Sequence, residues 1–321
     1  MARHTLPDFI ERVDPQPASA RPTALSLVLS LRPSQWTKNF IIFFPLMLAQ
    51  RLLDVQALLH AIAAFVIFCA LSGVVYLIND IVDRDADRLH PLKKNRPIAS
   101  GALRVPVAIG WAVALATVAL TAAFWLRPLF GGIAASYVLL LALYSAQLKH
   151  IVILDVLTIA IGFVLRAAAG AVAVDVPISH WLYVLTILLA LFLALSKRRH
   201  ELVLLADGAT SHRRILEEYS PYLLDQMIAV VTASTIVAYA FYTVSPETVQ
   251  RLGTDRLILT LPFPLYGIFR YLYLVHLKEG GGNPSDMLLT DIPLLLCVSL
   301  WTVAVAIIIY GPTFSTFQLG G

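Results

Sequence analysis

What most constrains this chain is a succession of apolar stretches, each close to the length needed to cross a bilayer. A helix rises about 1.5 Å per residue, so about 20 residues cover the roughly 30 Å of hydrocarbon in a membrane. Nine stretches approach or exceed that length: 38–54, 56–80, 104–126, 129–147, 151–174, 180–198, 223–245, 257–276 and 290–311. Turn signals fall between them, at Arg127–Pro128, Lys149–His150, Asp175–Pro177, Pro246, and Gly280–Gly282 with Pro284. Only 14% of the residues are charged, against about a quarter in a soluble domain. The sequence therefore predicts an all-α polytopic membrane protein. Its expected plan is a polar tail over 1–31, a single nine-helix membrane domain over 32–315 and a short tail over 316–321. The first 23 residues carry Pro7, Pro15, Pro17, Pro22 and scattered charges, and so read as a tail, with a short amphipathic part at the membrane, rather than as a signal peptide.

The charges set an orientation. With the N-terminus inside, 18 of the 24 Lys and Arg residues fall in inside segments, four fall outside, and Arg166 and Arg270 lie within spans. By the positive-inside rule this places the N-terminus in the cytoplasm and the chain in the inner (plasma) membrane. The same asymmetry accounts for the net charge of +4 without nucleic acid as a partner. Cys69 and Cys297 both lie in apolar stretches and read as small buried side chains, not as a disulfide or metal ligands.

The second stretch ends in Asn79, Asp80, Asp83, Asp85 and Asp87. On a continuous helix Asn79, Asp83 and Asp87 share one face, with Asp80 one turn below Asp83 and Asp85 pointing away. Four oxygen-bearing side chains on one face repel one another at a membrane boundary unless something neutralises them. A hard divalent cation does so, and magnesium is the one usually held by one or two carboxylates plus substrate phosphate. Asn79, Asp80, Asp83 and Asp87 are thus candidate metal ligands, the three aspartates being the candidate catalytic residues. Lys93, Lys94 and Arg96 follow directly and are candidates to bind a diphosphate, with ordinary positive-inside charge as the alternative. Asp155 and Arg166 lie three turns apart on one face of the fifth stretch, too far for a direct ion pair. Within a membrane both are functional candidates by default, while Gly162 and Gly170 beside them read as close helix packing.

These residues resemble the UbiA superfamily of intramembrane prenyltransferases, whose first aspartate-rich motif matches Asn79-Asp80-x-x-Asp83-x-x-x-Asp87. More narrowly, the chain is similar to the decaprenyl-phosphate phosphoribosyltransferase branch. Arg32-Pro-Ser-Gln-Trp36-Thr-Lys38-Asn39, Lys94-Asn-Arg96-Pro97 continuing to Gly101, Tyr144-Ser145 with Lys149, Asp155 and Gly162 to Gly170, and Lys197-Arg198-x-x-Glu201 carry that similarity. The second aspartate-rich motif of ordinary members is absent, and Ser196 to Glu201 is basic in its place. The resemblance implies a nine-helix UbiA-type bundle that moves 5-phosphoribose from phosphoribosyl diphosphate to a polyprenyl phosphate with Mg2+, releasing diphosphate. It implies that Lys197 and Arg198 meet the 5-phosphate or the acceptor phosphate, and that Lys149 and Tyr144 meet phosphate. Asp155 would take a ribose hydroxyl, Asp87 a water-bridged metal or a ribose hydroxyl, and Arg166 an anion in the cavity, with Lys38 among the substrate-binding residues. Arg270 is either a late phosphate contact or the partner of a loop acid. A homo-oligomer is left open. The rival readings are an ordinary prenyltransferase, to which the missing second motif is the objection, and a transporter or a non-catalytic lipid-phosphate carrier, for which no paired broken helices are evident.

Overall fold

A computed structural model describes residues 22–90, 93–178, 180–206, 214–277 and 284–318. It is all helical among these residues. In order the α-helices are α1 (Thr23–Ser30), α2 (Phe44–Leu48), α3 (Val55–Val82), α4 (Arg84–Leu89), α5 (Val105–Leu126), α6 (Pro128–Ala146), α7 (Leu154–Ala173), α8 (His180–Ala206), α9 (Pro221–Val244), α10 (Pro246–Leu252), α11 (Pro262–Leu277), α12 (Pro284–Thr290) and α13 (Ile292–Gln318). Among the described residues, eight helical segments are long and apolar enough to cross a membrane: α3, α5, α6, α7, α8, α9, the run Arg256–Leu277 ending in α11, and α13. This is a multi-pass membrane protein.

The expected first span, 38–54, is not a continuous helix. Its residues divide between a 3-10 segment, Pro33–Phe43, and the short α2, which α1 precedes. Ahead of the 3-10 segment, between α1 and Pro33, the departure from helix has a local cause. Arg32 stands before Pro33, whose ring disfavours the right-handed helical region for the preceding residue, and Arg32 takes φ 51°. α1 also reverses the pattern of a soluble surface helix: Leu25, Val28 and Leu29 are exposed while Ser26 and Ser30 are buried. That suits a helix with hydrocarbon outside and protein inside.

Helix starts are written in the sequence. Asp54 caps α3 by accepting from the Ala57 N–H at 3.0 Å, and that bond, ahead of the adjacent Arg51, holds its carboxyl below the usual range. Ser220 and Ser245 cap α9 and α10 in the same way, each followed by a proline at the first helical position. Buried residues of α3, α5, α6 and α7 form one core around Phe68, Phe130 and Tyr137. A second core joins α8, α9 and α11 around Phe192, Leu224 and Tyr271. Between them the 3-10 segment lies against α7 so closely that a Cβ on Gly170 would stand 2.3 Å from the Ile42 carbonyl oxygen.

Two charge groups mark the two ends of the bundle. At one end Arg127 pairs with Asp175 at 2.7 Å, and Arg51 reaches Asp54 and, at 2.6 Å, the Val174 carbonyl. The C-terminal end of α3 meets that of α6 at the opposite end, through Asp83 and Lys149. The candidate site is built there.

Candidate active site

α3 ends at Val82. Asp83 is its C-cap, with φ −88° and ψ 5°, and the chain re-enters helix as α4 at Arg84. The backbone bonds Asp83 N–H to the Asn79 carbonyl and Asp87 N–H to the Asp83 carbonyl persist at 2.9 and 2.8 Å. The acids thus stay near one another, but not on the single unbroken helix face expected of them.

Each acid meets a cation from elsewhere in the chain. Asp80, 2% exposed, accepts from Arg32 at 2.5 Å and from Arg96 at 3.2 Å. Asp87, also buried, accepts from Arg96 at 2.6 Å. Asp83 accepts from Lys149, itself buried. Asn79 accepts from Ser145 at 3.4 Å. Asp85, by contrast, is exposed and lies 3.5 Å from Arg88, as its position off the face predicted.

The four-ligand cage expected of Asn79, Asp80, Asp83 and Asp87 is not assembled: among the described residues no three or more His, Cys, Asp or Glu side chains group as a metal site. The physical reason is the cationic coat, which turns Asp80 toward Arg32 and Arg96. Asp83 and Asp87 each engage a cation through one oxygen. Their second oxygens have no hydrogen-bond partner among the described residues. Two hard carboxylate oxygens suit a magnesium ion whose remaining ligands are water and phosphate.

Deeper in the bundle lies a different set. Arg166, 6% exposed, donates to the Asn39 side-chain oxygen at 2.8 Å, the Gly162 carbonyl at 3.1 Å and the Tyr137 hydroxyl at 2.6 Å. Its guanidinium lies over the Tyr137 and Phe163 rings, at 4.7 and 5.1 Å. Every one of these partners is neutral. Asn39 is held in turn by Ser72 at 3.4 Å. Lys38, the neighbour of Asn39, feels repulsion from Arg166 and Arg32 and attraction from Asp286 of α12.

Asp155 and Arg198, both expected at the substrate, join each other. Asp155 is fully buried and accepts from Arg198 at 2.7 Å and from Tyr219 at 2.8 Å. Arg198 also donates to Glu201 and, at 3.3 Å, to Tyr144. Burial pushes the Tyr219 hydroxyl up to about 12, so it stays protonated and donates, while accepting from the Ile153 N–H at 2.7 Å. The network fastens α7 to α8 and to the segment before α9. Arg270 pairs with Asp291 at 2.8 Å, which is the loop-acid alternative. Lys197 lies 3.8 Å from Glu201, Lys94 is exposed, and Lys93 stands in the short 3-10 turn Lys93–Asn95.

Several residues of these groups were not singled out as site residues from the sequence. Arg32, Asn39, Ser145 and Glu201 lay within the matched stretches, and Tyr76 headed the acid run. Tyr137 and Tyr219 lie in no motif, and only the fold brings them in.

The UbiA prenyltransferase family model matches residues 39–290. The chain belongs to the UbiA prenyltransferase family. It is a membrane transferase. It is 31% identical over 312 residues to the decaprenyl-phosphate phosphoribosyltransferase of Mycolicibacterium smegmatis, covering 92% of this chain and 96% of the relative. The protein of the same description from Corynebacterium glutamicum is 31% identical, with 88% and 86% covered. A solved structure of a UbiA homolog from Archaeoglobus fulgidus bound to GPP and Mg2+ superposes with a TM-score of 0.69 at 19% identity, over 88% of this chain and 99% of that one. At that identity the likeness bears on the fold alone.

Proposed function

We propose that this enzyme transfers 5-phosphoribose from phosphoribosyl diphosphate to a polyprenyl phosphate and releases diphosphate. The observation that carries the reading is the convergence of Arg32, Arg96 and Lys149, from three separate segments, on Asp80, Asp83 and Asp87. Acids for a metal and cations for phosphate are what a metal–diphosphate donor requires. The similarity to decaprenyl-phosphate phosphoribosyltransferases over nearly the whole chain favours phosphoribose over a prenyl group. So does the basic Ser196–Glu201 stretch, where ordinary members carry a second acid motif.

Asp83 and Asp87, with Asn79 nearby, are the residues proposed to hold Mg2+, whose part is to stabilise negative charge growing on the departing diphosphate. Arg96 and Lys149 bind the diphosphate oxygens beside it, with Lys93 and Lys94 at the entrance. Asp80 orients Arg32 and Arg96. An oxygen of the acceptor phosphate attacks the anomeric carbon as the bond from that carbon to the diphosphate oxygen breaks, through an oxocarbenium-like transition state. The electron pair of the broken bond leaves with diphosphate. The acceptor phosphate is already ionised at neutral pH, so no general base is needed. We infer an inner-membrane location with this site facing the cytoplasm, from the 18-to-4 distribution of basic residues.

The test is transfer of labelled ribose from phosphoribosyl diphosphate into the lipid phase, with polyprenyl phosphate and magnesium. Label that depends on metal, and is lost in Asp83→Asn, is expected. Transfer from a prenyl diphosphate to another acceptor, with no ribose label, would reassign the protein to the ordinary prenyltransferases.

A further inference from the structure

The connection from α6 to α7 carries Lys149, and its shape is not one that its own residues favour. Ile153 takes φ 70° and ψ −42°, a region open to glycine but strained for a β-branched side chain. Such a conformation persists only where the surroundings over-determine it. α7 also starts without a side-chain cap of its own. What holds the start of this helix comes from a residue 66 positions further along. The Tyr219 hydroxyl accepts the Ile153 N–H at 2.7 Å and donates to the Asp155 carboxylate at 2.8 Å. One buried side chain thus bridges the strained residue and the first turn that follows it. The Tyr219 ring stands in the core with Val156 and Phe192. The other Asp155 oxygen is fixed by Arg198 at 2.7 Å.

The same network reaches the chain on the other flank of Lys149. Arg198 donates at 3.3 Å to the hydroxyl of Tyr144, near the end of α6. The 3-10 turn Leu148–His150 lies against the 3-10 turn Arg214–Glu218, which leads directly to Tyr219. The turn that bears Lys149 is therefore tied on both sides to one buried group, and Lys149 is itself buried with its ammonium on Asp83.

We propose that Tyr219 is a positioning residue for Lys149: its hydroxyl clamps the strained start of α7 and so sets the turn that delivers Lys149 to Asp83. The clamp acts through the backbone, not by contact with substrate. It rests on the proposed transfer, in which Lys149 meets the departing diphosphate. Negative charge grows there in the transition state, so a shifted ammonium costs kcat more than donor KM.

The experiment is steady-state transfer by purified full-length protein carrying Tyr219→Phe, which keeps the ring and deletes the hydroxyl. A fall in kcat of about tenfold to a hundredfold is expected, with donor KM nearly unchanged. Two double-mutant cycles separate positioning from packing. In a Lys149→Met background, Tyr219→Phe should change the remaining kcat by no more than about twofold. In an Ile153→Gly background the turn is free of strain and needs no clamp, so the cost should again be no more than about twofold. Loss of full size in either background overturns the clamp, as does a Tyr219→Phe protein with wild-type kcat. If Tyr219→Phe alone does not fold, the Ile153→Gly background carries the test: the double variant is expected to fold, and its failure to do so also overturns the clamp. Wild-type protein that moves a prenyl group and no ribose sinks the phosphoribosyl reading alone. Diphosphate departs in that reaction too, and the same cycles are then read on it.

Discussion

Gly170→Ala tests whether the close approach of the 3-10 segment to α7 holds the Asn39–Arg166 contact in place. The new methyl would stand 2.3 Å from the Ile42 carbonyl oxygen and 2.9 Å from both the Ile42 carbonyl carbon and Cα. Ordinary carbon–oxygen contacts begin near 3.3 Å, so the overlap is about 1 Å. The obstacle is backbone, and no rotamer change relieves it, so the segment must move off α7 by about that distance. Asn39, three residues before Ile42, accepts from Arg166 at 2.8 Å. A displacement of about 1 Å carries that contact past hydrogen-bonding range. Overpacking of this kind costs about 1–3 kcal/mol, and a buried donor left without its acceptor costs about 1–3 kcal/mol more. The expected outcome is a lower thermal midpoint in detergent, together with weakened substrate binding. Gly170→Ser should be at least as severe. A Gly170→Ala protein with wild-type midpoint and wild-type KM would refute the inference that this contact positions Asn39 and Arg166.

Two further perturbations separate support from binding. Asp155→Asn leaves Arg198 with one carboxylate partner, Glu201, in place of two. Breaking a buried ion pair costs about 3–5 kcal/mol, so the midpoint should fall while the KM for the donor stays put; an unchanged midpoint with a raised KM would return Asp155 to the substrate. Arg270→Met removes the ion pair that holds the Asp291 carboxyl below its usual range. Because the folded value is depressed, this contribution is complete above the ordinary carboxylate value and is lost as pH falls toward the depressed one. Melting curves from neutral pH down through the carboxylate range should converge for wild type and Arg270→Met at the acid end, with transfer unaffected at neutral pH. Curves that stay parallel would remove Asp291 from the account.

Much of the fold was legible because the bilayer imposes length and polarity together: the boundaries of α3, α5, α6 and α7 fall within a few residues of the apolar runs. The first span was misread as one helix. Hydropathy averages over a window and does not distinguish a continuous α-helix from the 3-10 segment and short α2 among which residues 38–54 divide. The acid cluster was legible as chemistry but not as geometry, since the sequence does not show that α3 stops at Val82. Asp155 and Arg198 illustrate a further limit. A buried charge looks functional when its partner lies 43 residues away, and no spacing rule links the two. Tyr137 and Tyr219 had no signal at all: an aromatic in an apolar run such as Tyr137 reads as core until its hydroxyl is seen to meet a charge, and Tyr219 stands in a polar connection with no motif around it.

The origin of each cation bears on how the site can work. Arg32 lies 48 residues from Asp80, and Lys149 lies 66 from Asp83. Asp83 therefore gains its cation, and Asp80 its second one, only after the chain at Arg32 and the end of α6 have docked, while Arg96 reaches Asp80 and Asp87 from nearby in the sequence. On that wall three acids face three cations, so a diphosphate entering there brings negative charge into a set already in balance. It must draw Arg96 and Lys149 toward itself, and the carboxylates released in that exchange need a new partner. A hard divalent ion between carboxylate and phosphate meets both needs at once. On the side of the 3-10 segment and α7, Arg166 meets neutral acceptors among the described residues, so an anion meeting it has no carboxylate to displace there. A donor with diphosphate at one end and a monoester at the other, or a diphosphate donor meeting a monoester acceptor, matches this asymmetry. Two prenyl-type substrates of which only one is charged do not, since they would leave Arg166 without an anion.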